Sequence, residues 1–238
     1  MPTEGTYPIR WHVAADAGDW LTQALAFVAE AEAEALAVRG GFHIVLAGGG
    51  TPRRLYQALA KESHAWARWH VWFGDERCLP PEDAERNSGM TREAWLDPVG
   101  MPSGNVHVMP SEQGAAVAAQ AYAGELSRIG DFDLVLLGLG QDGHTASLFP
   151  GHDWGEAANA PDVLAVSGAP KPPPERVSLS ARRLSRARRV LFLVTGADKR
   201  DALALWQRGE RIPAAAVRPE AGVDVLMDAD ASPNGEAS

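Results

Sequence analysis

The sequence predicts an α/β protein in which helices cover both faces of a mostly parallel sheet. Three observations support this fold class. Short apolar runs of strand length alternate along the chain with longer segments rich in alanine, glutamate and leucine. Glycines directly follow several of the apolar runs, where a strand would turn into a helix. Hydrophobic residues make up 45% of the 238 residues, which is enough for a large buried core.

Helix and strand signals set the elements of the first half of the chain. Apolar residues on one face and a terminal Gly40 predict a helix over 16–38. Thr51 is expected to cap the next helix, with Pro52 in its first turn, and Asn87 with Ser88 to cap a third. In order, we predict a strand over 7–13, a helix over 16–38, a strand over 42–47, a helix over 51–61, a strand over 69–73, a helix over 88–96 and a strand over 106–109.

The second half continues the alternation. Residues 134–139 begin as a run of four apolar residues and then reach the first of two glycines at Gly138, as expected of a buried strand that ends in a turn. We predict a helix over 112–129, strands over 134–139, 163–166, 176–180 and 189–195, a helix from 197 to 208, and a strand over 223–227. The prolines within 170–174 form a loop, not a domain linker. We therefore expect one α/β domain over residues 1–229 and a flexible tail over 230–238.

Composition excludes several classes of protein. The net charge of −9 disfavours a nucleic-acid or anionic-membrane partner. The lone Cys78 excludes an internal disulfide and a cysteine-based metal cluster. No apolar run approaches the roughly 20 residues of a membrane span, and residues 1–10 lack the pattern of a secretory signal. We expect a soluble, cytoplasmic protein, and nothing in the composition calls for a metal or another cofactor.

A glycine-rich turn follows the predicted strand over 42–47. Gly48, Gly49 and Gly50 allow a close backbone approach to an anion, and the following helix offers free N–H groups. Thr51 adds a hydroxyl, so the turn suits a phosphate monoester. It is neither a G-x-G-x-x-G fingerprint nor a Walker A loop. A tight strand-to-helix turn without a ligand remains the alternative interpretation.

Three further strand ends carry polar residues that a parallel sheet can bring to one crevice. Residues 74–77 place Asp75 and Arg77 there, either as a surface ion-pair set or as groups that hold sugar hydroxyls and an anion. Residues 140–144 place Asp142 and His144 after a buried strand, where an imidazole can take a proton near neutral pH or serve as a hydrogen-bonded loop residue. Residues 196–199 place Lys199 at a helix start, which its charge disfavours unless it holds a ligand.

The segment 171–200 is basic, with nine lysines and arginines against two acidic residues. Solvated helix faces explain most of these charges. One or two of them, for which we favour Arg176 and Lys199, are expected to hold an anionic substrate on an otherwise acidic protein. Arg77 is the reserve candidate for that role.

Five motifs in this order resemble the 6-phosphogluconolactonase family over about residues 10–229. They are Ala-Gly-Gly-Gly-Thr-Pro at 47–52, Gly-Asp-Glu-Arg at 74–77 with Asn87 and Ser88, Gly-Leu-Gly-Gln-Asp-Gly-His-Thr-Ala-Ser-Leu-Phe-Pro-Gly at 138–151, Arg-Val-Ser-Leu at 176–179, and Thr-Gly-Ala-Asp-Lys at 195–199. The resemblance implies a modified Rossmann-type fold and metal-free hydrolysis of 6-phospho-D-glucono-1,5-lactone in the oxidative pentose phosphate pathway. Gly48 and Asn87, which lie in matching motifs, are assigned to substrate binding.

The expected roles follow from residue chemistry. His144 is the general base for water, because its ordinary pKa of about 6.5 suits work near neutrality. Asp142 orients the loop or the imidazole, and Asp75 and Glu76 are weaker candidates for the base. No protein partner is predicted.

Two other classes remain open alongside the lactonase interpretation. Glucosamine-6-phosphate deaminase resembles this family and also carries Asp-Gly-His, but a Phe-Asn-Glu-Pro pattern follows there. Here residues 147–150 read Ser-Leu-Phe-Pro, with no acid, which favours the lactonase. A non-catalytic sugar-phosphate-binding regulator is the third possibility.

Overall fold

A computed structural model describes residues 7–233. The strands in this range are β1 (Ile9–Ala14), β2 (Phe42–Leu46), β3 (Trp69–Phe73), β4 (Asp75–Arg77), β5 (Val106–His107), β6 (Phe132–Leu137), β7 (Val163–Val166), β8 (Arg176–Leu179), β9 (Ala187–Val194) and β10 (Val223–Asp228). The α-helices are α1 (Ala17–Arg39), α2 (Gly50–Leu59), α3 (Asn87–Thr91), α4 (Ala115–Leu126), α5 (Ala181–Ser185) and α6 (Arg200–Gln207). A π-helical segment over Arg92–Leu96 continues α3.

Seven strands form one parallel sheet in the order β1-β10-β9-β6-β2-β3-β5. The four strands whose ends carry the polar motifs, β9, β6, β2 and β3, are therefore neighbours. Because all of them are parallel, their carboxyl ends meet at one edge of the sheet. The predicted fold class is confirmed, and the topology explains how four motifs far apart in sequence reach one place.

Helices cover both faces of this sheet. Trp69 of β3 donates its indole N–H to Glu32 of α1 at 2.6 Å, whereas Trp72 of the same strand packs on Tyr122 of α4 with ring centroids 5.9 Å apart. Residues an odd number of positions apart on a strand point to opposite faces, so α1 and α4 lie on opposite sides. The core is continuous through the sheet, with Ile44, Leu136 and Phe192 among its buried residues.

Helix α1 follows the sequence prediction closely, whereas α2 begins differently. Asp16 caps α1 by accepting N–H bonds from Gly18 and Asp19 at 2.7 and 2.9 Å. The expectation that Thr51 caps α2 is wrong. Gly49 occupies the cap position at a φ of 101°, which favours glycine, and the Thr51 hydroxyl instead lies 2.6 Å from that of Thr195.

A second, antiparallel sheet with the order β4-β8-β7 escaped the sequence analysis. Its strand β4 is a charged triplet that reads as a loop. The predicted helix over 112–129 also begins later, at Ala115, because Gly114 adopts a φ of 88°. In the predicted tail over 230–238, Ala231 and Ser232 are buried and residues 234–238 lie outside the described range, so its flexibility stays a prediction. The assignment of residues 1–229 to one domain stays a prediction.

Three imidazoles, one each from β2, β3 and β5, stack on one another. His43 and His70 are register partners with ring centroids 4.5 Å apart, and His70 Nδ1 lies 3.4 Å from His107 Nε2. Burial, with the charges of His70, Arg39, His107 and Arg183, lowers the pKa of His43 to about 3. Burial also lowers the pKa of His70, aided by Arg39. It lowers that of His107 as well, against the opposing effect of Glu125.

These depressed pKa values predict acid sensitivity. As the pH falls below about 6.5, the imidazoles of the unfolded chain bind protons, whereas those of the folded chain stay neutral. The free energy of unfolding therefore decreases with falling pH, until the pH reaches the folded pKa of His43 at about 3. His43→Gln keeps an acceptor for the Trp72 N–H and removes one such group. Between about pH 7 and pH 5, we expect this variant to lose less unfolding free energy than the parent, by up to about 1.4 kcal/mol per pH unit. Urea denaturation measures this, with exposed His152→Gln as control. An identical pH dependence in parent and His43→Gln would contradict it.

Candidate active site

A cleft of about 220 Å³ opens at the carboxyl ends of the central strands. Eight of the eleven residues that the sequence marks as functional line it: Gly48, Gly49, Asp75, Arg77, Asn87, His144, Arg176 and Lys199. Gly50 follows the lining residue Gly49 in the chain, and Asp142 contacts His144. Thr51 contacts Thr195 instead and is not among the lining residues. The cleft also contains Lys171 and the backbone of 138–140 and 145–146, which the sequence analysis did not assign.

The glycine turn after β2 forms one wall. A Cβ atom at Gly48 would overlap the side-chain amide of Asn87, so this close approach requires glycine. Helix α2 starts at Gly50, and the N–H groups of Gly50 and Thr51 have no intrahelical acceptor because they lie in its first turn. The hydrogen bond between Thr51 and Thr195 ties this turn to the end of β9. The turn therefore forms a backbone cradle of free N–H groups, the kind of group that binds anions at helix N-termini.

Asp75 is held rigidly beside the cradle and is only 6% exposed. Its Oδ1 accepts from the Asn87 amide at 3.0 Å, and its Oδ2 accepts from the Ser147 hydroxyl at 2.6 Å. Ser147, which the sequence analysis did not assign to the site, thus connects β4 to the loop that carries His144. Its place in the long motif at 138–151 was the available signal.

Glu76 points away from the cleft and is fully buried. Its carboxylate accepts the backbone N–H groups of Arg77, Asn87 and Ser88 at 2.8–2.9 Å, with the Arg86 guanidinium 3.6 Å away. These contacts replace the capping role that the sequence suggested for Asn87 and Ser88, since the amides at the start of α3 bond to Glu76 instead. Glu76 therefore shapes the site through the fold.

His144 presents its ring to the cleft from a tight loop. Its Nδ1 lies 2.5 Å from Asp142 Oδ1, and the N–H of Gly140 donates to its carbonyl at 2.8 Å. A Cβ atom at Gly140 would overlap the imidazole, so the loop closes this tightly only with glycine there. With Nδ1–H donating to the carboxylate, Nε2 carries the lone pair of the neutral ring.

The titration of the His144–Asp142 pair suits a base. Burial lowers the pKa of His144, and the hydrogen bond and charge of Asp142 oppose this without cancelling it. For Asp142, burial raises the pKa, but the hydrogen bond and charge of His144 outweigh it, so the pKa is lowered. Near neutral pH the pair is therefore a neutral imidazole on an ionised carboxylate.

Four cationic side chains line the cleft: Arg77, Lys171, Arg176 and Lys199. Arg77 Nη1 donates to the carbonyl of Glu85, whereas its buried Nε has no partner among residues 7–233. Lys199 Nζ lies 2.8 Å from Asp198, which Gln141 also contacts. Burial lowers the pKa of Arg176, although Asp75 acts in the opposite direction. The cleft is thus cationic on a protein whose net charge is −9.

The comparisons with known proteins agree with this geometry. A family model described as glucosamine-6-phosphate isomerases/6-phosphogluconolactonase matches residues 15–226. The chain belongs to this family. A 6-phosphogluconolactonase from Synechocystis sp. is 38% identical over 227 residues, which cover 90% of this chain and 93% of the relative. A 6-phosphogluconolactonase from Mycobacterium tuberculosis is 37% identical over 215 residues, which cover 83% and 87%.

Solved structures place the family on the same fold. The crystal structure of a 6-phosphogluconolactonase from Thermotoga maritima matches with a TM-score of 0.86 at 27% identity, covering 93% of this chain and 100% of that one. The resemblance drawn from the five motifs is confirmed. Within residues 7–233, no group of three or more His, Cys, Asp or Glu side chains is placed to hold a metal ion. Across that same range, no helix is both long and apolar enough to cross a bilayer.

The contacts of Glu76 predict a stability effect. Glu76→Gln replaces a carboxylate that accepts three backbone N–H bonds with a neutral amide, which leaves Arg86 with only the partly exposed Glu112 as a counter-charge. We expect the free energy of unfolding to fall by roughly 2–3 kcal/mol, measured by urea denaturation. The control Glu220→Ala removes an exposed carboxylate and should change it by less than about 0.5 kcal/mol. Parental stability in Glu76→Gln would show that these contacts do not support the fold.

Proposed function

We propose that this cleft hydrolyses 6-phospho-D-glucono-1,5-lactone to 6-phospho-D-gluconate. The observation that carries the proposal is the His144–Asp142 pair, whose free ring nitrogen faces a cationic cleft beside the backbone cradle at α2. The cradle suits the phosphate, and the imidazole suits activation of water at the lactone carbonyl. Relatives named 6-phosphogluconolactonase cover nearly the whole chain and support the same reaction.

The chemistry needs two proton transfers through one imidazole. His144 Nε2 takes a proton from water as the water oxygen bonds to C1 of the lactone, and the carbonyl oxygen becomes an oxyanion. Collapse of this intermediate breaks the bond between C1 and the ring oxygen, and His144 returns the proton to that leaving oxygen. Asp142 stabilises the transient imidazolium and keeps the ring oriented. Cations lining the cleft stabilise the oxyanion.

We assign the phosphate to the other end of the cleft. The N–H groups of Gly49 and Gly50, the Thr51 hydroxyl and Lys199 surround the position after β2 and β9. Arg176 was expected to join them, and only its Nη1 lacks an acceptor among the described residues. Asp75 and Asn87 lie between the two ends and suit the sugar hydroxyls.

This assignment places the protein in the oxidative pentose phosphate pathway, and we propose a cytoplasmic location. The deaminase alternative lacks support in one segment, since residues 147–150 read Ser-Leu-Phe-Pro where that enzyme carries Phe-Asn-Glu-Pro. Phe149 stands in the place of the glutamate, so this segment supplies no carboxylate to the cleft.

The proposed reaction can be measured directly. Purified protein is expected to release acid from 6-phosphogluconolactone faster than the spontaneous background, with full activity in the presence of EDTA. It should release no ammonia from glucosamine 6-phosphate. Ammonia release would favour the deaminase, and binding of 6-phosphogluconate without turnover would favour the regulator. Activity lost in EDTA and restored by a divalent ion would contradict the metal-free mechanism.

Replacement of His144 tests the general base. His144→Ala should lower kcat by about 10²–10⁴, with KM largely kept, because the base acts on the transition state. In the parent, activity should fall in acid as His144 takes up a proton, at a pH below the ordinary 6.5 because burial lowers its pKa. The variant should lack this acid limb. The exposed His152→Ala should behave as the parent. If His144→Ala keeps both the parental kcat and the limb, Asp75 is the next candidate for the base.

A further inference from the structure

Lys171 is an unassigned cation in the cleft. The sequence contains only three lysines, and two of them, Lys171 and Lys199, line the cleft. The third, Lys61, is exposed at the end of α2. Lys171 belongs to the proline-rich loop between β7 and β8, which enters the cleft from outside the parallel sheet.

Arg176 fastens this loop. Its Nη2 donates to the carbonyls of Lys171 and Pro172 at 3.1 and 2.9 Å, and its Nε donates to the carbonyl of Pro173 at 3.1 Å. Two of its three guanidinium nitrogens are therefore committed to three successive carbonyls. Arg176 is itself buried at 6% exposure, with its guanidinium 5.6 Å from the centre of the Phe149 ring. These hydrogen bonds fix the position at which the backbone of Lys171 enters the cleft.

The two cleft lysines have different neighbours. Lys199 follows β9, whose Thr195 bonds to Thr51 in the anion cradle, and its ammonium lies against Asp198. Lys171 lines the cleft together with His144, and its charge affects the pKa of both members of the His144–Asp142 pair. Three neighbouring charges affect the pKa of His144: Asp142 and Asp75 raise it, and Lys171 lowers it. Lys171 also lowers the pKa of Asp142.

We propose that the Lys171 ammonium binds the oxygens on C1 of the substrate, and that Arg176 is the positioning residue that holds its loop. This inference rests on the proposed lactone hydrolysis. The ammonium meets the carbonyl oxygen as it becomes the oxyanion, and it meets the carboxylate of the product. A cation at this place also keeps the imidazole of His144 neutral, and therefore able to accept a proton.

Two ligands that differ only at C1 separate the roles of the lysines. 6-Phosphogluconate carries a phosphate and a C1 carboxylate, whereas glucitol 6-phosphate carries the phosphate and a C1 hydroxyl. By calorimetry, Lys171→Met should weaken 6-phosphogluconate binding at least about tenfold, and glucitol 6-phosphate binding by less than about twofold. Lys199→Met should weaken both, and Lys61→Met neither.

Kinetics supply the second test. Lys171→Met should lower kcat by about 10–100-fold with little change in KM. Its acid limb should move to higher pH, because removal of a positive charge makes His144 easier to protonate. Lys171→Arg should restore the position of the limb. Arg176→Gln should lower kcat as Lys171→Met does. The double variant should lose little more activity than either single variant, since both changes remove the same interaction.

The outcomes separate a failure of the inference about Lys171 and Arg176 from a failure of the proposed lactone hydrolysis. Equal weakening of both ligands by Lys171→Met would place this lysine on the phosphate and overturn the inference, as would parental kcat and affinities. Weakened glucitol 6-phosphate binding in Arg176→Gln would make Arg176 a phosphate ligand and overturn its positioning role. If the parent lacks lactonase activity, the proposed function fails, and the calorimetric contrast between the two ligands still decides where Lys171 binds.

Discussion

The buried carboxylate of Glu76 is the contact on which the cleft depends. By accepting the first backbone N–H groups of α3, it fixes where Asn87 lies. The Asn87 side chain then packs against Gly48 and bonds to Asp75. Asp75 in turn holds Ser147, on the loop that follows His144. One unexposed charge therefore sets the spacing between the glycine turn, the carboxylate and the imidazole.

This chain of contacts explains why the cleft is rigid before any ligand binds. Each member makes hydrogen bonds that leave it one arrangement, and polar groups buried in this way are costly to leave unpaired. Preorganised groups contribute most to catalysis, because they need not reorganise as charge develops at the carbonyl. The proline-rich loop is held in a similar way, since Arg176 donates hydrogen bonds to its carbonyls and the side chain of Lys171 lines the cleft.

Features of the fold and site that depend on neighbouring residues in the sequence could be predicted, whereas features that depend on contacts between distant segments could not. The parallel sheet could be predicted because apolar runs such as 134–139 indicate buried strands without reference to the rest of the chain. The site could be predicted because glycines and polar residues follow the ends of those strands. Strand β4 did not emerge, because Asp75–Arg77 has no strand pattern and pairs only with a segment about 100 residues away. The roles of Glu76, Ser147 and Arg176 depend on contacts between distant segments, which residue type alone does not encode. Thr51 was misassigned because Gly49 reaches a backbone conformation that favours glycine.

The charge distribution reconciles an acidic protein with an anionic substrate. In the proposed function the cations of the cleft attract the phosphate, and a cation close to His144 also lowers the pKa of its imidazole, as Lys171 does. Asp142 counters this by bonding to Nδ1, which stabilises the imidazolium once the water proton arrives. Burial and the charge of Lys171 both lower the pKa of His144, and the Asp142 carboxylate opposes them. Under the proposed assignment Lys199 binds the phosphate and Lys171 binds the oxygens on C1, so phosphate binding and base strength depend on different cations.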